Sequence, residues 1–380
     1  MSSLTAIALL IIIILSFFYL LKFGSKENSL RLSLIVITLF LAIRYGWGND
    51  YFTYIRIYEE LYGVGLSIQE LSWNSKNSEW GWALINRIGD LSGIGFFGIV
   101  IVLSIFQNII IYIFIKRNVT PQFYALALIM YVTNILLFAI GSSMMRQQVC
   151  IISYLGVFLL MQEEQKKIKN LLISIAIILF CSTIHSSNIA MLLTLPLYYI
   201  KFKGNKSSMT LVIVMTIAYI VWSYLGPRLF QNSTVISLLN QSEELSSYVD
   251  YINENSASST GYRIGFRDIF RAGLCAFLAY NIRIMKREEQ LLSLFFIISM
   301  FFEPLERVVV MISRYNSYFV ATSIVVWPVI IKYINNKTYK TVVITLQFLF
   351  ILASMLQFFN DPLWSKGFGE YHTIFEVPWQ

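Results

Sequence analysis

The chain has 380 residues, of which 57% are hydrophobic and 13% are charged, and its formal net charge is +8. A soluble domain carries roughly 25% charged residues, so this composition excludes an ordinary soluble protein and predicts an all-α, polytopic integral membrane protein. The apolar runs are continuous rather than alternating, which excludes a transmembrane β-barrel. The positive charge lies largely in short loops between spans, where it acts as an orientation signal, so it does not indicate a nucleic-acid partner.

Apolar segments recur along the whole chain and predict about 12 transmembrane helices in a single domain over residues 1–380. The first run is too long for the core of a signal peptide, and we expect it to be retained. Several runs are shorter than the roughly 20 residues of an ideal span, which is typical of spans that line a polar cavity. The approximate cores are 4–22, 31–44, 95–115, 122–140, 147–161, 170–184, 187–200, 209–226, 267–282, 290–302, 315–331 and 341–358.

Basic residues in alternate loops set the predicted orientation, because cytoplasmic loops of membrane proteins are enriched in Lys and Arg. One set of loops holds 13 lysines and four arginines and is predicted to be cytoplasmic. Both termini then lie outside, in what we expect to be a bacterial cytoplasmic (inner) membrane. Two larger outer segments follow, at approximately 45–94 and 227–265.

The outer side differs from the cytoplasmic side in the type of its basic residues, since it holds ten arginines and two lysines. A guanidinium binds carboxylate or phosphate through two parallel hydrogen bonds, which an ammonium cannot do. This bias predicts recognition of anions on the outer side. The alternative is that these arginines pair with Asp50, Asp268, Glu303 and Glu306 to hold helices together. The candidate arginines are Arg44, Arg146, Arg263, Arg267, Arg271, Arg307 and Arg314.

The segment Arg44–Tyr54 follows an apolar run and combines two glycines, an aspartate and several aromatic rings. Asp50 is the leading acid/base candidate there, and Tyr51 and Tyr54 are placed to stack on sugar rings. The alternative is an interfacial aromatic belt with one capping aspartate.

His185 lies at a predicted outer turn between two short spans, where a histidine could take a proton from a hydroxyl. The alternative is a hydrogen-bonded structural residue at a helix end. Glu303 and Glu306 are secondary acid/base candidates. The three cysteines lie in apolar runs and the two histidines are far apart in the sequence, so no metal site and no cofactor are predicted.

Several of these elements together resemble the EpsG family, which is related to the Wzy-type polymerases of O-antigen and exopolysaccharide. The segment Arg44–Tyr54 is similar to the R…G-x-D-Y-x-x-Y signature near the start of that family. Three weaker elements agree, namely Met145-Arg146-Gln147-Gln148, Ile184-His185-Ser186-Ser187, and Arg314-Tyr315 followed by Tyr318-Phe319.

The resemblance implies a GT-C-like glycosyltransferase that polymerises undecaprenyl-diphosphate-linked repeat units on the outer face of the membrane. The arginines would then hold the diphosphate, and Asp50 or His185 would deprotonate the acceptor. Implied partners are the lipid-linked glycan donor and acceptor and the membrane lipids, and a chain-length regulator protein is a further candidate. A lipid-linked oligosaccharide flippase and an envelope glycan ligase are the alternatives.

Overall fold

A computed structural model describes residues 1–21, 24–74, 79–163, 167–203, 209–230, 265–306 and 312–376. Most of these residues are helical, and each of the twelve predicted apolar segments lies largely in helix, which confirms the all-α fold class. Contacts divide the chain into two compact units, Met1–Tyr198 with Trp327–Gln380, and Tyr199–Val326. A single domain over residues 1–380 stays a prediction.

Helices of the first unit are joined by short connections, some of which are π-helical (Ser16–Leu20 and Ile135–Ile140) or 3-10 (Pro121–Phe123). In chain order the helices are α1 (Ser3–Leu15), α2 (Lys26–Ala42), α3 (Tyr51–Glu60), α4 (Ile68–Asn74), α5 (Trp80–Leu91), α6 (Gly95–Asn118), α7 (Tyr124–Val132), α8 (Gly141–Ser143), α9 (Met145–Met161) and α10 (Lys167–Ile184), followed by a 3-10 helix, Ser186–Tyr199.

Helices in the remainder of the chain are α11 (Met209–Phe230), α12 (Phe266–Asn281), α13 (Arg287–Glu306), α14 (Ile312–Val320), α15 (Ser323–Tyr333), α16 (Lys337–Asn360) and α17 (Pro362–Phe368). Two-residue strands β1 (Arg44–Tyr45) and β2 (His372–Thr373) pair antiparallel, with Arg44 opposite Thr373.

Short polar side chains start several of these helices, because a side-chain oxygen can accept one of the backbone N–H groups that a helix leaves unpaired at its N-terminus. Ser25 Oγ accepts the Asn28 N–H at 3.2 Å, and Asn336 Oδ1 accepts the Tyr339 N–H at 3.1 Å. Asp361 Oδ1 likewise accepts the Leu363 N–H at 2.8 Å and begins α17.

Within the described ranges, four helical stretches are long and apolar enough to cross a membrane: Ser3–Leu20, Gly95–Asn118, Lys167–Ile184 and Lys337–Asn360. Pro121–Val132 and Ile135–Ser143 pass the same test together but are bent by 64°. The apolar helices and their number indicate a multi-pass membrane protein. The count of about 12 spans, the two outer segments and the sidedness of the termini stay predictions.

The short apolar run after His185 forms the 14-residue 3-10 helix Ser186–Tyr199. A 3-10 helix rises about 2.0 Å per residue, against about 1.5 Å in an α-helix. Fourteen residues therefore reach about 28 Å instead of about 21 Å, close to the roughly 30 Å of a bilayer core. The helix is thus nearly long enough to cross a bilayer core, while its being a span stays a prediction.

The predicted outer segment at 45–94 contains three helices, α3, α4 and α5, rather than an extended loop. Their facing apolar side chains form a small core of Leu61, Leu71 and Ala83, against which Ile57 and Leu84 pack. The three helices thus share a small apolar core of their own.

The C-terminal segment folds back onto the loop between α2 and α3. The Gly48 N–H donates to Gly367 O at 2.8 Å, and Asn49 Nδ2 donates to Leu363 O at 3.0 Å. Trp47 is fully buried, and its Nε1–H donates to Ser3 Oγ at 2.8 Å. Ser3 at the start of α1 and the C-terminal helix α17 therefore both contact the Arg44–Tyr54 segment.

In the second unit, α11 packs along α12 and α13. Trp222 Nε1–H donates to Phe301 O at 2.8 Å. Asp268 Oδ2 accepts the Gly265 N–H at 2.9 Å, so this carboxylate caps α12.

Candidate active site

Three elements of the first unit converge around Glu79, the residue immediately before α5. They are the start of α9, which carries Arg146; the turn after α10, which carries His185; and α3, which carries Tyr54. Gly81 permits α5 to approach the end of α10 closely, since a Cβ at this position would lie 2.9 Å from the backbone carbonyl carbon of Thr183. We call Glu79, Arg146, His185 and Tyr54 the Glu79 cluster.

Both carboxylate oxygens of Glu79 are engaged. Oε1 lies 3.0 Å from His185 Nδ1 and accepts the Ser186 backbone N–H at 3.1 Å. Oε2 forms an ion pair with Nη1 of Arg146. The Glu79 side chain is 9% exposed, so these contacts are largely shielded from water.

Arg146 also contacts Tyr54, whose hydroxyl accepts from Arg146 Nε at 3.5 Å. The guanidinium carbon lies 5.8 Å from the centre of the Tyr54 ring, within the range of a cation–π contact. The side chain remains 25% exposed. Since a guanidinium has five N–H donors and the described contacts use Nε and Nη1, donors remain for a ligand.

Asp50 stands at the start of α3, half-buried, with its N–H donating to Ser143 Oγ at 3.1 Å. It lies close enough to Arg146 and Tyr54 to act on both electrostatically. Gly48 permits this packing because its φ is +118°, and a Cβ there would come within 2.9 Å of Ser143 Cα. Four predicted site residues, Asp50, Tyr54, Arg146 and His185, are thus brought together.

Electrostatics in the cluster favour an ionised Glu79. Burial raises the pKa of this carboxyl, but the hydrogen bond with His185 and the charge of Arg146 outweigh burial, so the pKa lies below its ordinary value. Burial also raises the pKa of the Tyr54 hydroxyl, against the opposing effect of Arg146, so Tyr54 stays a neutral phenol at neutral pH.

His185 is 7% exposed, and its backbone N–H donates to Cys181 O at 2.9 Å. An ionised carboxylate accepts hydrogen bonds only, so Nδ1 carries the hydrogen toward Glu79 and a neutral ring keeps its lone pair on Nε2. Nε2 is buried and has no hydrogen-bond partner within the described ranges. The ring is therefore oriented through one nitrogen, with the basic nitrogen unengaged.

Two other predicted residues, Arg44 and Tyr51, lie apart from the Glu79 cluster, and their predicted roles stay predictions. Arg44 is 5% exposed and donates to the oxygens of Leu41, Ser104 and Ser142. Tyr51 is fully buried, and its hydroxyl donates to Arg44 O at 3.1 Å. Both side chains are buried within the Arg44–Tyr54 segment itself: Arg44 ties the segment to Leu41, Ser104 and Ser142, and Tyr51 ties the start of α3 back to Arg44.

The second unit holds a separate group of predicted residues. Arg267 and Arg271 lie on one face of α12, as their spacing predicted, and both pair with Glu303, at 2.7 Å for Arg267. This agrees with the predicted helix-pairing alternative for these two arginines.

The remaining predicted residues add little to the geometry. Glu306 is half-buried at the end of α13. Arg314 lies in α14, and its carbonyl accepts from Ser317 Oγ at 2.7 Å. Arg263 and Arg307 lie outside the described residues. The roles proposed for all of these side chains stay predictions.

Glu79 was not a predicted site residue. Its local sequence, Glu79-Trp80-Gly81-Trp82, places a carboxylate beside a glycine flanked by two tryptophans. A glycine between two large aromatic residues indicates that another part of the backbone approaches closely. This is the signal in the sequence that could have pointed to Glu79. The pairing joins residues 67 and 106 positions apart, which no local pattern reveals.

The described residues contain no group of three or more His, Cys, Asp or Glu side chains that could hold a metal ion. A family model described as the EpsG family matches residues 27–372, nearly the whole chain, which confirms the resemblance predicted from the sequence. No curated protein and no solved structure matches the chain.

Proposed function

Because the chain belongs to the EpsG family, a Wzy-type polymerase-like family, we propose that it polymerises undecaprenyl-diphosphate-linked oligosaccharide repeat units on the outer face of the cytoplasmic membrane. The observation that carries the proposal is the Glu79 cluster. An anion-binding guanidinium and a histidine with an unengaged nitrogen are held by one buried carboxylate.

The reaction is a glycosyl transfer between two lipid-linked substrates. An acceptor hydroxyl oxygen bonds to the anomeric carbon of the donor glycan, and the bond from that carbon to the diphosphate oxygen breaks. The electron pair of the broken bond leaves with the lipid diphosphate. The hydroxyl proton passes to a base on the protein.

Arg146 is the proposed anchor of the leaving diphosphate. Its side chain is partly exposed and has unused donors, and a guanidinium matches phosphate geometry. Charge develops on the diphosphate as the bond breaks, so a fixed donor at this position stabilises the transition state more than the ground state.

His185 is the proposed base, through Nε2. The nitrogen is buried, so the side chains that cover it must move when the acceptor enters. Asp50 is the alternative base, since it is half-buried and close enough to Arg146 to act on it electrostatically. Replacing each residue separately decides between them.

The experiment is an assay of polymer length with the purified full-length protein in liposomes that contain a polyprenyl-diphosphate-linked repeat unit. We expect Arg146→Ala to reduce polymer formation by about 10²–10³-fold, and Arg146→Lys to fail as well if two parallel hydrogen bonds are required. Arg31→Ala is the matched control, because Arg31 also pairs with a glutamate, Glu27, but lies on the exposed surface.

Long polymer from Arg146→Ala would contradict the anchoring role. Movement of the lipid-linked unit across the bilayer without polymer would instead support a flippase. Transfer of a finished chain to another acceptor would support a ligase.

A further inference from the structure

In the reaction proposed above, Glu79 neither binds the diphosphate nor accepts the proton. It is, however, the residue that contacts both Arg146 and His185, the two side chains that do. Its Oε2 pairs with Arg146 and its Oε1 lies 3.0 Å from His185 Nδ1. The Ser186 backbone N–H donates to the same Oε1 at 3.1 Å. The contact with the Ser186 backbone holds the carboxylate in one orientation, so Oε1 faces His185 and Oε2 faces Arg146.

We infer that Glu79 is a positioning residue. It fixes the distance and orientation between His185, the proposed base, and Arg146, the proposed diphosphate anchor. This inference rests on the proposed function of the same site. Through Oε1 the carboxylate keeps the hydrogen on Nδ1 and the lone pair on Nε2. Through Oε2 it holds the guanidinium at a fixed distance from that imidazole, so the leaving group and the acceptor are aligned by one side chain.

Sharing one carboxylate also links substrate binding to the base. A diphosphate that takes hydrogen bonds from Arg146 competes with Oε2 of Glu79. As that ion pair weakens, more of the carboxylate charge acts on the imidazole and favours its protonated form. Binding of the donor therefore strengthens the base that removes the acceptor proton. Among the residues that the structure describes, the other charged or titratable groups near Glu79 and His185 are Arg146, Tyr54, Asp50 and Cys181.

Glutamine cannot reproduce this arrangement, although it has the same shape. With its oxygen toward His185 and the Ser186 N–H, its amide N–H groups face the donors of Arg146. In the opposite orientation, the amide N–H groups face the Ser186 N–H and force Nδ1 to accept, which moves the imidazole hydrogen to Nε2 and removes the base. Aspartate keeps the charge, but its side chain is one methylene shorter and cannot span both partners.

The test measures polymerisation by the full-length protein in liposomes as a function of pH, for Glu79→Gln, Glu79→Asp and wild type. We expect Glu79→Gln to lower the maximal rate by about 10²–10³-fold. Loss of the negative charge should move the acidic limb of its pH profile to lower pH by about one unit. For Glu79→Asp, the acidic limb of the pH profile should stay at its wild-type position. The maximal rate should be higher than that of Glu79→Gln and about 10-fold below that of the wild type.

Glu27→Gln is the matched control, since Glu27 likewise binds two basic side chains, Arg31 and Lys116, but lies on the exposed surface. We expect wild-type rates and an unchanged pH profile for this variant. A slow Glu79→Gln with an unchanged acidic limb would show that Glu79 only supports the fold and would overturn the inference. A wild-type rate for Glu79→Asp would also overturn it, and this variant decides the matter if Glu79→Gln does not fold. Absence of polymer from the wild type would instead refute the proposed function.

Discussion

Two glutamates of the first unit, Glu27 and Glu79, each bind two side chains with basic nitrogen atoms, but in different surroundings. Glu27, in the first turn of α2, accepts from Arg31 at 2.5 Å, Lys116 at 2.7 Å and the Tyr112 hydroxyl at 2.9 Å. Its side chain is 34% exposed, whereas that of Glu79 is 9% exposed. Glu27 lies at the start of α2, whereas the Glu79 cluster lies near Asp50, which follows the end of α2 in the sequence.

The difference in exposure decides what each carboxylate contributes. Hydrogen bonds from Lys116 and Tyr112 lower the pKa of Glu27 to about 2, but water solvates and screens an exposed pair, and such pairs contribute little to stability. A buried pair is shielded, so removing one partner leaves an uncompensated charge. Two glutamates with similar partners therefore differ in their tolerance of substitution. We expect the exposed contacts of Glu27 to be replaceable and the buried contacts of Glu79 to depend on its charge and length.

The largest expected effect is on stability after Glu79→Ala. The substitution leaves Arg146 without its carboxylate partner in a largely buried site, and we expect a loss of about 3 kcal/mol in the free energy of unfolding. Thermal unfolding in detergent, followed by circular dichroism, measures it. Glu27→Ala should leave the unfolding curve unchanged, and equal losses from both variants would remove the distinction between the two sites.

Gly81→Ala should cost about 2 kcal/mol, because the added Cβ would lie 2.9 Å from the Thr183 carbonyl carbon and push α5 away from α10. Polymer formation should fall as well, since Glu79 would be drawn away from His185. Gly156→Ala in α9 is the matched control. It has open space around the new Cβ and should be neutral or stabilising by about 0.5–1 kcal/mol. A neutral Gly81→Ala would show that the close approach is dispensable.

Trp47→Phe should cost about 1 kcal/mol, since it removes the hydrogen bond from Nε1 to Ser3 Oγ inside a fully buried aromatic group. The same unfolding assay measures the loss. The polymer product should keep its length, because the ring contacts of Trp47 are with Phe40, Phe138, Phe368 and Tyr371, none of which is proposed to act on the substrate. Phe52→Leu is a suitable control, as Phe52 is 55% exposed. Shortened polymer from Trp47→Phe would contradict this prediction and show that polymer length depends on the packing of Trp47.

The smallest effect concerns pH. The pKa of Glu79 is lowered in the folded protein, so its stabilising contribution is present above the ordinary carboxyl value of 4.5 and is lost as pH falls through the folded pKa. The difference in unfolding temperature between wild type and Glu79→Gln should be largest near pH 7 and narrow below about pH 4.5. Unfolding curves at several pH values test this, and a difference that grows in acid would contradict the sign of the shift.

The sequence by itself determined the elements with a local cause. Apolar runs predicted the helices, because membrane-spanning backbone must satisfy its hydrogen bonds within each segment. The i, i+4 spacing of Arg267 and Arg271 placed both on one face, where both meet Glu303. The Arg44–Tyr54 motif, with Arg146 and His185, pointed to the family and to four residues that do lie together.

Only the tertiary structure decided which side chains complete the site. The pairing of Glu79 with Arg146 and His185 depends on how α5 docks against α9 and α10, and residues so far apart in sequence have no periodicity in common. The docking of Gly367 onto Gly48 is likewise a property of packed surfaces. Exposure is also tertiary: Glu27 and Glu79 are the same residue type with similar partners, and only packing removes water from one of them and makes its contacts specific.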